Sequence, residues 1–221
     1  MHYVDRSIDA FLDDVASSSV APAGGTVVAV VGAAGTALCE MACVHTMRAD
    51  DVSRSEPALS ATRSALERRR NGLLTLADSD ARVVDSRFGS SGGRSGSSGG
   101  RSDSSDEGES TVGFSDNGDR RGLKRSIGVP LTIAESCGIV IELGEAVLDG
   151  CVRSVRVDAW VGLSLVYSAL EAAVFTVRHN LEVSTDAEFN DRVRTRLAET
   201  EAAVATVFER VTDDGTFDPR V

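Results

Sequence analysis

Residues 19–47 read SVAPAGGTVVAVVGAAGTALCEMACVHTM, a glycine-containing turn followed by a long apolar run. From about Thr26 to Met47 the run shows no strand-like alternation, so we expect one long helix. Its length would suffice to span a membrane. However, Glu40 lies inside it, and aromatic belts and flanking basic residues are missing. The run therefore predicts a buried central helix of a soluble bundle, packed within the chain or against a second subunit.

Five further segments show the spacing of amphipathic or buried helices. Asp5 or Ser7 could cap the first, Thr185 to Glu188 has capping-box spacing before the last, and Pro130 should start or kink the helix that contains it. The predicted fold class is all-α, an antiparallel helical bundle of about five to six helices with a long buried central helix. The five segments are 7–16, 57–88, 123–147, 152–180 and 185–211.

A Gly/Ser-rich segment with scattered charge, residues 86–121, interrupts the helical pattern. Such a composition cannot bury enough apolar surface to offset the entropy of ordering. We therefore interpret the chain as a single domain, 1–221, with a disordered insertion at about 88–120. A partner-binding tail is the alternative interpretation.

The composition excludes some function classes. The formal net charge is −11 and the pI about 4.7, which argues against a general nucleic-acid partner or a surface for anionic lipid. Lys124 is the only lysine, and an acidic, lysine-poor chain is typical of a high-salt cytoplasm. An ordinary acidic cytosolic protein is the alternative. The acidic N-terminus lacks the features of a signal peptide, so a cytoplasmic location with reduced thiols is expected.

The cysteines of the opening stretch suggest two interpretations. Cys39 and Cys43 share a helix face, with His45 nearby, but the paired ligand spacing of common metal sites is missing. Buried core thiols are therefore predicted and no metal site. Glu40 on an apolar helix needs a partner. A structural ion pair with an arginine is favoured over a role in a site.

Two acids in the segment LLTLADSDARVVD (73–85) are candidate functional residues. Asp80 falls inside a helical apolar stripe, where an unpaired carboxyl group tends to have a raised pKa. Such a residue is a candidate general acid/base, and an Asp held by a core arginine is the equal alternative. Asp78 lies at the edge of the stripe, four residues before Arg82, and could form a surface pair. The apolar members of the stripe are Leu73, Leu76, Ala77, Val83 and Val84.

Four other residues are candidate functional positions. Asp158 shares a face with apolar residues near the start of a buried helix, and Asn180 at its end is a cap or a ligand contact. The glycines Gly24 and Gly25 open the long helix and expose backbone N–H groups at the positive end of its dipole. A plain turn is the simpler explanation for these glycines when they are considered alone.

Four stretches occur in an order that resembles the formiminotetrahydrofolate cyclodeaminase / methenyltetrahydrofolate cyclohydrolase family. The glycine turn and helix at 19–38 resemble that family's Pro-Gly-Gly-Gly-Ser turn, and ADSDARVV (77–84) its Asp-x-Asp-Ala segment. VPLTIAESC (129–137) resembles a Val-Pro-Leu-x-Ile-Ala segment. The helix at 157–181 resembles a Ser-Asp-x-Gly helix that ends in Asn-Val-x-x-Asn.

The resemblance implies a dimerising helical bundle that binds a tetrahydrofolate derivative and needs no cofactor beyond that substrate. The family's reactions act on the one-carbon bridge between N5 and N10, as 5,10-methenyltetrahydrofolate cyclohydrolase or 5-formiminotetrahydrofolate cyclodeaminase. Asp80 matches the family's second Asp and would be the catalytic acid/base. Asp78, Asp158 and Asn180 would orient or recognise the folate, and Gly24, Gly25 and Thr26 would contact it from the helix N-terminus.

Several positions depart from the family pattern. Ala23 replaces the first glycine of the turn, and Thr26 replaces the serine but keeps a hydroxyl. Val157, Trp160 and Thr176 replace a serine, a glycine and an asparagine of the later helix. These changes suggest an alternative function, a catalytically inactive relative that binds folate or a protein partner as a helical dimer.

Overall fold

The computed structural model describes residues 3–49, 56–88 and 116–213, and this part of the chain contains helices and no strands. The all-α prediction is therefore confirmed. Within these ranges, two short 3₁₀ turns, Tyr3–Asp5 and Arg153–Val155, accompany six α-helices. These are α1 (Ile8–Val15), α2 (Gly24–Met47), α3 (Glu56–Phe88), α4 (Asp116–Gly150), α5 (Arg156–Leu181) and α6 (Ala187–Asp213).

The core lies where α2, α3, α4 and α5 meet. A Cβ atom on Gly32 of α2 would lie 3.1 Å from Cys137 of α4, 3.4 Å from Leu73 of α3 and 3.5 Å from Ala169 of α5. One α2 position therefore touches all three neighbouring helices. α6 packs on the outer side of α4, and α1 lies near the N-terminal end of α2.

Glycines set the distance between α2 and α5. A Cβ atom on Gly35 would lie 2.5 Å from the Gly162 carbonyl oxygen, and one on Gly162 would lie 2.7 Å from the Gly35 carbonyl oxygen. Backbone atoms cannot move aside as a side chain can, so both positions require glycine. Since Gly35 faces Gly162 while Gly32 faces Ala169, the two helices run antiparallel. The C-terminal end of α5 thus lies beside the N-terminal end of α2.

Three helices, within 24–47, 120–150 and 153–181, are long and apolar enough to cross a membrane by length and composition. All three contribute to one core of buried side chains, including Cys39, Ile133 and Leu170. Within a single chain α2 is not covered on every side, because Ala34 and His45 are exposed. The expectation that α2 is buried on all sides is therefore not fulfilled within one chain. Packing of α2 against a second subunit stays a prediction.

The polar predictions for α2 can be compared directly with the structure. Arg70 of α3 donates to Glu40 at 2.7 Å, so the favoured ion pair is confirmed. Cys39, Cys43 and Cys137 are buried, which confirms that they are core thiols. Burial raises the pKa of the Cys39 thiol to about 12 and that of Cys43 to about 11. Among the described residues, no group of three potential metal ligands is found.

Two expectations about helix ends were wrong by a few residues. α4 begins at Asp116, so the last residues of the expected insertion are helical, while 89–115 lies outside the described residues. Pro130 accordingly lies inside α4 and does not start it. At α6 the capping side chain is Asp186 and not Thr185, because the Phe189 N–H donates to Asp186 Oδ1 at 3.0 Å. Aspartate is at least as good an N-cap residue as threonine, so the cap lies one residue later than expected.

Arginine–glutamate pairs attach α6 to its neighbours. Arg196 and Arg210 each donate two hydrogen bonds to an α4 acid, Glu135 and Glu145 respectively, at 2.5–2.7 Å. α6 thus depends on surface pairs as well as on its buried apolar face, whereas α2 and α5 meet through backbone and small side chains.

Candidate functional site

The acid singled out by the sequence, Asp80, is buried against the N-terminus of α2. Its side chain is only 6% exposed, and its Oδ2 accepts a hydrogen bond of 2.9 Å from the Thr26 hydroxyl. Thr26 is itself fully buried. The apolar stripe of α3 carries Asp80 to this place because Ala77 and Leu73, about one and two turns earlier on the same face, pack in the core. The hydrogen bond between Thr26 and Asp80 joins residues that are 54 positions apart in the chain.

Gly25 allows the carboxyl group to approach α2 this closely. A Cβ atom at Gly25 would lie 2.7 Å from Asp80 Cγ and 2.8 Å from Asp80 Oδ2, well inside contact distance. A Cβ atom at Gly24 would meet no atom within 4 Å. The site therefore has a closed side, formed by Gly25 and Thr26, and an open side at Gly24.

The N-terminus of α2 lacks the usual side-chain cap. Its N-cap residue is Ala23, whose methyl group accepts no hydrogen bond. Asp80 places a carboxyl group at this end of the helix from α3. The first N–H groups and the positive end of the helix dipole both favour negative charge there.

The surroundings of Asp80 act in opposite directions on its acidity. Burial raises the pKa of this carboxyl group, since removal from water disfavours the charged form, while hydrogen bonds from the Thr26 hydroxyl and backbone lower it. The net effect is a pKa raised above the ordinary value of an aspartate. In the described part of the chain no arginine donates a hydrogen bond to Asp80, so the core-arginine interpretation is wrong. A buried acid whose pKa is raised in this way is a candidate general acid/base.

Asp78 has a different role from the expected surface pair. It is 4% exposed, and its Oδ1 accepts a hydrogen bond of 2.8 Å from the Tyr3 backbone N–H. Arg82 donates to the backbone oxygen of Asp78 at 2.9 Å. A surface pair was expected because Asp78 lies at the edge of the stripe, but the N-terminal segment covers that edge. Tyr3, Phe11 and Ala81 form a small second core there.

Asn180 lies at the same end of the bundle as Asp80. The antiparallel pairing of α2 and α5 places the end of α5 beside the start of α2, and Asn180 Nδ2 donates to the Ser126 carbonyl oxygen of α4 at 2.7 Å. The side chain thus joins two helices near the site. Its role as a ligand contact stays a prediction.

Asp158 is not brought to this end within one chain. It is exposed near the start of α5, 22 residues before Asn180, which corresponds to about 33 Å along the helix. The expected apolar face around it also differs, since Val161 is exposed while Gly162 is buried. The structure therefore gathers Gly25, Thr26 and Asp80, with Gly24 at the opening, and leaves Asp158 apart.

Sequence reasoning missed the main-chain contributors to this region. Tyr3 acts through its backbone N–H and Ser126 through its backbone carbonyl. Main-chain atoms are the same in every residue, so no sequence signal marks them. At the departures from the family pattern, the Thr176 hydroxyl donates to the Ala172 carbonyl of its own helix, Trp160 is half-buried and Val157 is exposed.

The sequence profile of the family described as Formiminotransferase-cyclodeaminase matches residues 7–91 and 117–199, well over half of the chain. A methenyltetrahydrofolate cyclohydrolase of Methylorubrum extorquens is 28% identical over 201 residues, which cover 91% of this chain and 90% of that protein. A formimidoyltransferase-cyclodeaminase of Rattus norvegicus is 25% identical over 199 residues. The match covers 88% of this chain but only 34% of the rat protein.

The fold has a solved counterpart. The crystal structure of formiminotetrahydrofolate cyclodeaminase from Thermotoga maritima superposes with a TM-score of 0.80, covering 95% of this chain and 96% of that one. Sequence identity in the superposition is 22%, so this likeness supports the fold alone.

Proposed function

We propose that this chain, which belongs to the formiminotransferase-cyclodeaminase family, is an enzyme of folate one-carbon metabolism that acts on the N5/N10 bridge of tetrahydrofolate. The observation that carries the proposal is Asp80, a buried acid bonded to a hydroxyl and placed at the open N-terminus of α2. The activity named for the Methylorubrum relative, which matches over nearly its whole length, is consistent with it.

As a cyclohydrolase, Asp80 would act twice. The ionised carboxylate accepts a proton from water as the water oxygen bonds to the cationic methenyl carbon, which gives a neutral tetrahedral carbon. The protonated Asp80 then donates to N5 as the bond between this carbon and N5 breaks, and the hydroxyl group on the carbon releases its proton to solvent and becomes the formyl oxygen. 10-Formyltetrahydrofolate results, and one water is consumed and one proton released overall. A carboxylate also stabilises the cationic methenyl group electrostatically in an apolar pocket.

As a cyclodeaminase, the same group would assist ring closure. The formimino group of 5-formiminotetrahydrofolate reacts as its protonated, amidinium form: N10 bonds to the formimino carbon, the imino nitrogen becomes an amino group, and the N10 proton passes to the carboxylate. Return of that proton to the departing nitrogen releases ammonia and leaves the 5,10-methenyl bridge. Both reactions require a proton acceptor that becomes a donor at one bridge carbon, which a carboxyl group with a raised pKa can supply without a metal.

The remaining site residues are assigned by position. Gly24 and Gly25 would offer backbone N–H groups to the folate at the N-terminus of α2, and Asn180 would contact it from α5. Asp78 would act indirectly by holding the N-terminal segment against α3. Asp158 has the weakest support of the predicted contacts, because its distance along α5 separates it from Asp80 within one chain.

We further propose a cytoplasmic homodimer adapted to high salt, without a nucleic-acid or membrane partner. The net charge of −11 supports the salt adaptation. Val157, Val161 and Phe175 are exposed apolar residues on α5, and α2 is not covered on every side within one chain. Light scattering in high salt should give twice the mass of the chain, and a monomer would contradict the dimer.

A spectrophotometric assay tests the enzyme proposal directly. The purified protein, in high salt, is given 5,10-methenyltetrahydrofolate in one series and 5-formiminotetrahydrofolate in the other. We expect the methenyl absorbance to fall in the first or rise in the second. Asp80→Asn should slow the change by about 10²–10⁴-fold, and Glu67→Gln, which alters an exposed acid on the same helix, should not affect it.

Calorimetry distinguishes the alternative function. If wild-type protein binds the folate tightly but turns over neither substrate, the inactive-relative hypothesis replaces the enzyme proposal. The substitutions Val157, Trp160 and Thr176 motivate this outcome. Absence of both binding and turnover would leave a structural helical protein.

A further inference from the structure

We propose that Thr26 is a positioning residue that fixes one oxygen of Asp80, Oδ2, at the N-terminus of α2 and leaves Oδ1 as the oxygen that exchanges the proton. This inference rests on the proposed function for the chemistry that it assigns to Oδ1. It replaces the expectation that Thr26 contacts the folate, because the hydroxyl of this fully buried residue is donated to Asp80.

The position of Thr26 in its helix explains why it can play this part. With Ala23 as N-cap, Thr26 is the third residue of the helix, and its N–H is among those that an N-cap side chain normally satisfies. Ala23 cannot do so. The Asp80 carboxyl group takes the place of the cap from α3, and both the backbone and the hydroxyl of Thr26 stabilise its charged form.

The two carboxyl oxygens consequently have different surroundings. Oδ2 accepts the Thr26 hydroxyl at 2.9 Å. Oδ1 is the atom nearest to the position that a Cβ of Gly25 would occupy, and Gly24 beside it is open. A proton on Oδ2 would compete with the Thr26 hydroxyl donor for the same oxygen, so the exchangeable proton is assigned to Oδ1, which lies against the backbone of Gly25.

Few other charged groups can influence the pKa of Asp80. α2 carries no acidic or basic side chain from Gly24 to Leu38. On α3 the neighbouring acid, Asp78, is bonded to the Tyr3 N–H, and Arg82 is bonded to the Asp78 backbone. Arg178 and His179 of α5 are exposed. The Thr26 hydroxyl is therefore the group whose removal should change Asp80 most.

The first test measures Asp80 without any folate. Carbon-13 NMR follows the aspartate carboxyl resonances with pH, and the resonance missing from Asp80→Asn identifies Asp80. Thr26→Val keeps the side-chain shape but removes the donor, so the pKa of Asp80 should move further up. Thr26→Ser keeps the donor and should titrate like wild type. If Thr26→Val does not fold, Thr26→Ala replaces it, and thermal melting checks each variant.

The second test uses turnover. Thr26→Val should lower kcat about tenfold or more, with KM within about twofold, because a misplaced acid affects the reacting step. The pH dependence of kcat should shift upward with the Asp80 titration. Introduced into Asp80→Asn, the same substitution should cause no further loss, since Thr26 acts through Asp80.

The outcomes separate cleanly. An unchanged Asp80 titration in Thr26→Val, or the same loss of kcat in the wild-type and Asp80→Asn backgrounds, would overturn the positioning role. Failure of wild-type protein to turn over either folate would defeat the proposed function. In that case the NMR titration still decides whether Thr26 holds Asp80.

Discussion

Two acids lie at the interface of α2 and α3, and the structure gives them different partners. Glu40 of α2 receives a hydrogen bond of 2.7 Å from the guanidinium group of Arg70. Asp80 of α3 receives one of 2.9 Å from the hydroxyl of Thr26. Thr26 and Glu40 are 14 residues apart on α2, so the two acids are separated by about 21 Å along one interface.

The difference in partner separates a structural acid from a reactive one. A nearby guanidinium group stabilises the charge of Glu40, which anchors one helix to the other. The Thr26 hydroxyl offsets only part of the effect of burial on Asp80, so the pKa of the Asp80 carboxyl group is raised. Proteins hold an acid in such a state mainly where a proton has to move. The comparison predicts that Asp80 serves activity and Glu40 serves stability.

Asp80→Asn should show the largest effect, on activity alone. Loss of a general acid/base lowers turnover by about 10²–10⁴-fold. The folded pKa of Asp80 is above its unfolded value, so its contribution to stability is full below the unfolded pKa and is lost as the pH rises through the folded pKa. At neutral pH the melting temperature of Asp80→Asn should therefore equal or exceed that of wild type. A marked fall in melting temperature would assign Asp80 a structural role instead.

Gly25→Ala should come next and affect both properties. The added methyl group overlaps the Asp80 carboxyl, which must shift. We expect about 10²-fold lower activity and a loss of about 1–3 kcal/mol in the free energy of unfolding. Gly72→Ala on α3 is the matched control, because a Cβ there meets nothing within 4 Å. It should keep activity and gain about 0.5–1 kcal/mol. Equal behaviour of the two variants would disprove the close approach.

Arg70→Met should reverse the pattern seen at Asp80. It leaves Glu40, whose side chain is only 12% exposed, without its cation. Denaturant unfolding should show a loss of about 1–3 kcal/mol, while turnover stays at the wild-type level. Adding Glu40→Gln should recover part of that loss, since the unpaired charge is then removed. Lost activity in the folded single variant would break the division between the two acids.

Arg210→Gln should give the smallest effect and extends the comparison to an exposed acid. Arg210 holds the pKa of Glu145 below its ordinary value. The pair therefore stabilises the fold above the unfolded pKa of Glu145, and this contribution is lost as the pH falls through the lower folded pKa. The difference in melting temperature from wild type should be slight at neutral pH, vanish in acid and shrink as salt is added. A difference that persists in acid would point to packing by the arginine stem.

Helical periodicity predicted the burial of Asp80 correctly because α3 has a single apolar stripe. Asp80 lies among Leu73, Ala77 and Val83, so its face was defined and its burial followed. In α5 the apolar residues occur all round, and Val157 and Val161 are exposed although they resemble core residues. Helical spacing therefore could not select the buried face, and Asp158 was expected on the wrong one. Asp78 was misjudged because the segment covering it starts 75 residues away.

The sequence by itself determined that the chain forms helices, where most of them begin and end, and that Glu40 and Asp80 face other helices. These properties follow from local spacing and from composition, which act within a few turns. Only the tertiary structure decided which partner each acid receives. A carboxyl group on an apolar stripe meets an arginine or a hydroxyl according to the register of two helices. Here the register is set by close contacts such as those of Gly25 with Asp80 and of Gly32 with Leu73.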